Sequence, residues 1–492
     1  MRKVLPILLL LLGLVSCKQD IVSYDPTMHL LFSHDSVAFD TVFTTMGSST
    51  RRIMVYNPNA NAMVISQVSM RDGRYFHINL DGENNPDNLH NIPIRGGDSL
   101  FLFVRVQVDP QDSNSPVLVN DDIIFSVNEH TQHIRLQAFG QNVSILRDHN
   151  GLIIYDNLHL TNTRPYLIYD TLVVTDDLTI DEGTTLYMHN NALIHAYGNV
   201  NAHGTLEHPI TIRGDRTDRL FDSVPYRVAS GQWNGIYLLH SKDRPTPTYS
   251  FDHVDIMSGN VGLYVWSESA NRCPVFTFAN GRIHNQAIYG MILQNVDATV
   301  VNSEISNCAS FCLYIAGGKQ QFVHNTIASY FGYPYTNINI HNNVRRDTMA
   351  AVYINNLSKE TAVTDATFRN CIITGAQRSN LLVATPLPNH YGGTFSGNYL
   401  RADSLPAAFA AHNVYASDSD SVVFRNIYYR INEYHYYDFQ LDSLSPARGI
   451  GDSLLIDQPA QSFIDSLCRF DRLGHQRKAR PDAGCYEYVE AE

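Results

Sequence analysis

The strongest constraint in this sequence is a repeat. Aligning the chain on Ile256, Ile283, Ile305, Ile327 and Ile373 places an apolar residue five positions before each: Phe251, Phe278, Val300, Phe322 and Phe368. Three positions before each stands Asn or His: His253, Asn280, Asn302, His324 and Asn370. Seven to ten positions after comes a second apolar pair: Leu263 with Val265, Met291 with Leu293, Leu313 with Ile315, and Leu381 with Val383. The period is about 22 residues, with one long insertion between Ile327 and Ile373. Repeats of roughly 20–50 residues signify solenoids, because each unit can bury its apolar side only against the next. Short β-prone stretches with a polar residue at a fixed corner predict a parallel β-helix, whose coils stack ~4.8 Å apart. Apolar positions then form inward ladders, and the Asn/His ladder satisfies backbone groups that an apolar corner would leave unpaired. The Leu-x-x-Leu-x-Leu spacing of leucine-rich repeats is absent.

Before the repeats, from Thr27 to Asn142, the period changes to two. Leu100, Leu102, Val104, Val106 and Val108 fall on one side, with Arg105 and Gln107 on the other. Further strands are predicted over Thr41–Met46, Arg52–Tyr56, Met63–Met70, Tyr75–Leu80, Asp122–Val127 and His133–Phe139. Turn signals separate them at Asn57-Pro58-Asn59, Asp81-Gly82 and Gly96-Gly97-Asp98. Seven short strands over so short a stretch predict an immunoglobulin-like β-sandwich without the Cys-Trp-Cys signature. The stretch resembles the immunoglobulin-like modules at the N-termini of Bacteroidetes surface lipoproteins, and Phe139-Gly140-Gln141-Asn142 is similar to their exit strand. Such modules space and present a second domain.

The first residues read as a targeting segment. Arg2 and Lys3 precede an apolar run from Leu5 to Leu14 that is too short to span a bilayer, and Val15-Ser16 are small residues before Cys17. Leu14-Val15-Ser16-Cys17 resembles a bacterial lipobox, in which the cysteine is acylated and becomes the mature N-terminus. Lys18-Gln19-Asp20 resembles the charged tract of surface-exposed Bacteroidetes lipoproteins. The resemblance implies a lipid anchor in the outer membrane, with the chain held at the cell envelope.

At the other end, Ser445-Pro446-Ala447-Arg448-Gly449, Asp471-Arg472-Leu473-Gly474, Arg477 and Pro481-Asp482-Ala483-Gly484-Cys485-Tyr486-Glu487 resemble the C-terminal signature of pectate-lyase-like, choice-of-anchor β-helix surface proteins. Cys485 stands where alanine is usual. The resemblance implies a right-handed helix. The expected layout is a signal peptide over 1–16, a lipidated linker over 17–28, the sandwich over 29–145, the right-handed parallel β-helix over 146–440 and a C-terminal cap of the helix over 441–492.

Function is less constrained. A net charge of −13 repels nucleic acid and anionic headgroups. Of the seven cysteines none is spaced Cys-x-x-Cys, which argues against zinc, while a bridge between Cys468 and Cys485 in the tail is left open. Related β-helices include lyases, hydrolases and proteins without known activity, so fold alone does not decide. Asp255, Arg282 and Glu304, each just before an aligned isoleucine, are the candidate acid/base set; a cross-strand ion-pair ladder is the favoured reading, since opposite charges neutralise one another. No cofactor is required; calcium is the one ion that Asp252 and Asp255 could hold. Trp233 and Trp266 are the only tryptophans, and Trp233 is expected to be structural. The insertion after Ile327 brings Tyr330, Phe331, Tyr333 and Tyr335, with Arg345 and Arg346 nearby, a set suited to stacking on sugar and pairing with uronate. Three functions fit: a non-catalytic surface module binding polysaccharide or an envelope protein, a polysaccharide lyase or glycoside hydrolase, or a structural envelope protein.

Overall fold

The computed structural model describes residues 21–490, apart from 222–223, 331–349, 356–363, 385–391, 404, 406–409, 418–421, 428–436 and 454–465. The chain forms two compact units that divide between Asn142 and Val143.

The first unit is a β-sandwich. One sheet runs Leu31–Phe32, Arg51–Tyr56, Ser99–Val106, Phe76–Leu80; the other runs Ser36–Phe43, His130–Gln141, Val117–Val127, Met63–Met70, His90–Ile94. Pairing is antiparallel except between Ser36–Phe43 and His130–Gln141. The alternation behaves as expected: Leu102, Val104, Val106 and Val108 are buried, while Phe101 and Phe103 are exposed. The strand expected from Thr41 begins instead at Ser36, because the register shifts between Ala38 and Thr41 and breaks the period of two. His90–Ile94 was not expected as a strand, since it carries Pro93; it lies at a sheet edge, where a missing N–H is tolerated.

The second unit is a parallel β-helix. Among the described residues its three sheets have eleven, nine and ten strands, and successive coils add one strand to each. We name them by their outward faces as the charged, aromatic and threonine sheets. Ile256, Ile283, Ile305, Ile327 and Ile373 pair in register inside the charged sheet, each 0% exposed. Ile212 and Leu400 extend the ladder on either side. Inside the threonine sheet, Phe322 and Phe368 stack at 4.5 Å and Phe368 and Phe395 at 5.0 Å.

The polar corner has a second cause besides hydrogen bonding. His253, Asn280, Asn302, His324 and Asn370 all have left-handed backbone, with φ between 49° and 53°. Asn and His visit this region more readily than most residues, and branched apolar residues are strained there. The next two coils continue the corner with Gly397 and His412, at φ 65° and 54°.

Two features lie outside the repeat. Between Ile212 and Ile256 an insertion carries a short hairpin, Arg219–Phe221 with Val224–Pro225, and ends at Trp233, which is 1% exposed and donates its Nε1–H to the Met257 carbonyl. Residues near the C-terminus build a second apolar core on the outer side of the charged sheet, where Ile372 and Tyr399 meet Phe424, Phe439, Leu441, Ala447, Ala483, Cys485 and Tyr486. Cys485 belongs to this core, whereas Cys468 packs with Val301 and Val323. The two form no bridge with each other. Cys308, Cys312 and Cys371 are buried in the helix interior.

Candidate functional site

Asp255, Arg282 and Glu304 do stand on three successive coils of the charged sheet, in direct register. The residues that cover them come from the C-terminal segment. Arg472 donates to Asp255 Oδ1 at 2.6 Å and to the Gly281 carbonyl at 3.2 Å. Arg282 lies 3.8 Å from the other Asp255 oxygen. Glu304, 4% exposed, accepts from Ser306 at 2.6 Å through one oxygen and from the Tyr486 hydroxyl through the other. All four carboxylate oxygens thus have partners within the chain. Burial, reinforced by Glu304, pushes the Tyr486 phenol well above its ordinary range and keeps it a donor. Burial alone would lower the Arg472 pKa, but Tyr486, Asp255 and Glu304 hold it above its usual value. The column is an ion-pair ladder fastened to a tail, with Glu304 buried and the Asp255 side chain 18% exposed. Asp252, the other residue considered for calcium, pairs with His253 at 2.8 Å and accepts from Asn280 at 2.9 Å. No group of three metal-ligating side chains occurs among the described residues.

The tail signature explains itself in the same geometry. Arg477 donates to Asn302 Oδ1 at 2.8 Å and to Glu487 at 3.3 Å, so it ties the corner ladder to the chain end. Asp471 accepts from the backbone of Leu473, His475 and Glu487, and Asp482 from that of Gly449 and Tyr488. Gly484 has φ 93°, and a Cβ there would sit 2.7 Å from Thr326 Oγ1, so only glycine lets its N–H reach the Asn370 carbonyl.

The aromatic sheet presents a different surface. Val173, His195, Tyr237, Tyr264, Ile292, Tyr314, Tyr353 and Leu382 form one continuous column in register. Each lies between inward positions and is half-buried, so the column faces outward. Beside it, Tyr289 stacks on Phe311 at 6.1 Å and Phe311 on Tyr353 at 5.0 Å, and Trp266 pairs with Gln294. Tyr237 and Tyr264 meet at 87°, an edge-to-face pair in which the edge-on ring keeps both faces clear of the other. Asn355 donates to the Tyr314 hydroxyl at 2.6 Å. Burial raises the pKa of Tyr237, Tyr264 and Tyr353, so their hydroxyls remain protonated. This column was not anticipated. Its signal lies in the repeat: Tyr264, Ile292, Tyr314 and Leu382 are the residues enclosed by the second apolar pairs.

Of the residues expected in the aromatic loop, Tyr330 is not a free stacking face. It packs in the second core against Phe424 and Phe439, and its carbonyl accepts from Tyr437. Phe331, Tyr333, Tyr335, Arg345 and Arg346 lie outside the described residues, as does Cys17.

The right handed beta helix region family model matches residues 234–385, which carry the charged column and the aromatic column from Tyr237 onward, and fixes the hand of the helix. No curated protein matches the chain. Among solved structures, a protein of unknown function from Porphyromonas gingivalis W83 is 14% identical over 25% of this chain and 50% of its own, with a TM-score of 0.18. A family 123 glycoside hydrolase from Clostridium perfringens is 9% identical over 25% of this chain and 31% of its own, also at 0.18. The matched stretch thus spans half or less of each of these proteins, at scores that bear on neither fold nor function. Over residues 234–385 the chain is similar to right-handed β-helix proteins.

Proposed function

We propose that this chain is a cell-envelope lipoprotein that binds glycan without transforming it, on the outward face of the aromatic sheet. The observation that carries this reading is the aromatic column itself: Tyr237, Tyr264, Tyr314 and Tyr353 on one outward line, flanked by Trp266, Tyr289 and Phe311. Aromatic faces stack on the C–H surfaces of sugars, and phenol hydroxyls and amides fix their orientation. A lyase or hydrolase would need unengaged carboxylates, and those of Asp255 and Glu304 are both engaged by the tail. In this proposal the lipid on Cys17 holds the protein at the outer membrane, facing outward as in Bacteroidetes surface lipoproteins, and the sandwich presents the β-helix.

The test is a glycan array followed by titration of any hit. Replacing Tyr264 and Tyr314 together by Ala should weaken binding by ~1–3 kcal/mol, by analogy with ring stacking on nucleic-acid bases, and leave the unfolding midpoint nearly unchanged. Retained affinity in that double variant, or binding to an envelope protein but no glycan, overturns the proposal. The anchor is tested separately: Cys17→Ala should abolish incorporation of a fatty-acid analogue and release the protein from the membrane fraction. Unchanged labelling would refute lipidation.

A further inference from the structure

The nine strands of the aromatic sheet contain no Asp, Glu, Lys or Arg. The other two sheets of the same helix are not like this. The charged sheet carries Arg213, Asp255, Arg282 and Glu304, and the threonine sheet carries Asp252, Asp297, Lys319, Asp365 and Arg369. The described rim carries amides on one side and mostly paired charges on the other. Along one corner Asn260 donates to Asn234, and Asn234 to the Asn191 carbonyl, an amide ladder parallel to the column. Along the other, Lys242 pairs with Glu268 at 3.5 Å and Arg244 with Asp176 at 3.1 Å, while Arg272 donates to the Lys242 and Arg244 carbonyls at 2.8 and 3.3 Å.

From these observations, and resting on the glycan-binding reading, we infer that the ligand is an uncharged, extended polysaccharide lying along the helix axis. A uronate or sulfated polymer needs cations at each repeat to offset the loss of water around its anions, and the strands of this face supply none. An uncharged chain needs ring faces and hydroxyl partners, which are what the column and its amide rim offer. Direction follows from spacing. Successive column positions are one inter-strand step apart, ~4.8 Å, close to the advance of one sugar in an extended chain. From His195 to Tyr353 the column covers six coils. It is therefore ~24 Å long and a few residues wide, roughly 300 Å². A stable protein interface buries about 800 Å² on each partner, so a strip this narrow suits a polymer chain better than a second protein or a second copy.

Affinity electrophoresis of the full chain in gels containing hydroxyethyl cellulose, xyloglucan or polygalacturonate tests the class. The neutral polymers should retard the wild type, equally at low and high salt, and retard Tyr264→Ala/Tyr314→Ala at least fivefold less. Retardation by polygalacturonate alone overturns the neutral class and leaves the glycan reading standing. Retardation by no polymer, with none on an array either, overturns the glycan reading itself. Titration with neutral oligosaccharides of increasing length tests the direction. Affinity should climb with each added sugar to about six, one for each of the column's coils at one inter-strand step apiece. A plateau at the disaccharide overturns the axial arrangement.

Discussion

Replacing Ile305 with Asp should destroy the cooperative unfolding of the β-helix. Ile305 is 0% exposed and pairs in register with Ile283 and Ile327, so a carboxylate there has no water and no cation within the ladder. An uncompensated buried charge of this kind costs ~3–5 kcal/mol, a large share of the 5–15 kcal/mol or so that holds a domain together. The loss should spread, because each coil is stabilised mainly by its neighbours. Limited proteolysis should cut the coils around residue 305 while the sandwich, a separate compact unit, stays protected. Gln321→Glu, on the outward face of the threonine sheet, serves as the control and should shift the urea midpoint little, since a surface change is usually worth under ~0.5 kcal/mol. Equal resistance of Ile305→Asp and the control would refute the inward ladder.

The second large effect is expected at the tail. Arg472→Met removes the guanidinium 2.6 Å from Asp255, whose side chain is 18% exposed. Arg282, at 3.8 Å, offsets part of the loss. The cost should therefore fall below the ~3–5 kcal/mol of a fully orphaned buried charge, at about 2 kcal/mol. Tyr486→Phe leaves one Glu304 oxygen without its donor and should cost ~1–3 kcal/mol. A double-mutant cycle between Arg472→Met and Asp255→Asn isolates the pair. A coupling under ~0.5 kcal/mol would place the pair among surface ion pairs and deny it a fastening role.

The repeat made the helix legible because its core residues recur at fixed offsets from a corner that only a few residue types tolerate. Asn302 and Asn370 mark that corner twice over, by hydrogen-bonding capacity and by backbone conformation. What the repeat could not show is long-range. Arg472 and Asp255 are 217 positions apart, and nothing in either neighbourhood says which sheet the tail will cover. Tyr330 looked like a loop aromatic because Phe424 and Phe439, its partners, lie about a hundred residues downstream. The aromatic column escaped for a different reason. Attention to inward pairs passes over the single residue between them, and Tyr237 and Tyr353 fall beside insertions that break the count. In the sandwich, the shift at Ala38 hid the start of one strand and the proline at 93 hid another strand altogether, both as local exceptions to a pattern.

The tail fastening also sets an order in time. A parallel β-helix can assemble coil upon coil as its chain arrives from the N-terminal side, since each coil needs only its predecessor. The outer face of the charged sheet cannot be finished that way. Asp255 and Glu304 must wait, hydrated, until Arg472 and Tyr486 reach them. During folding the molecule therefore passes through a stage in which the solenoid is wound but one flank is still wet. The closing step joins residues made late to coils made much earlier. A chain cut short before Arg472 would keep its coils and lack its clasp, and a protease could tell the two apart by that open flank.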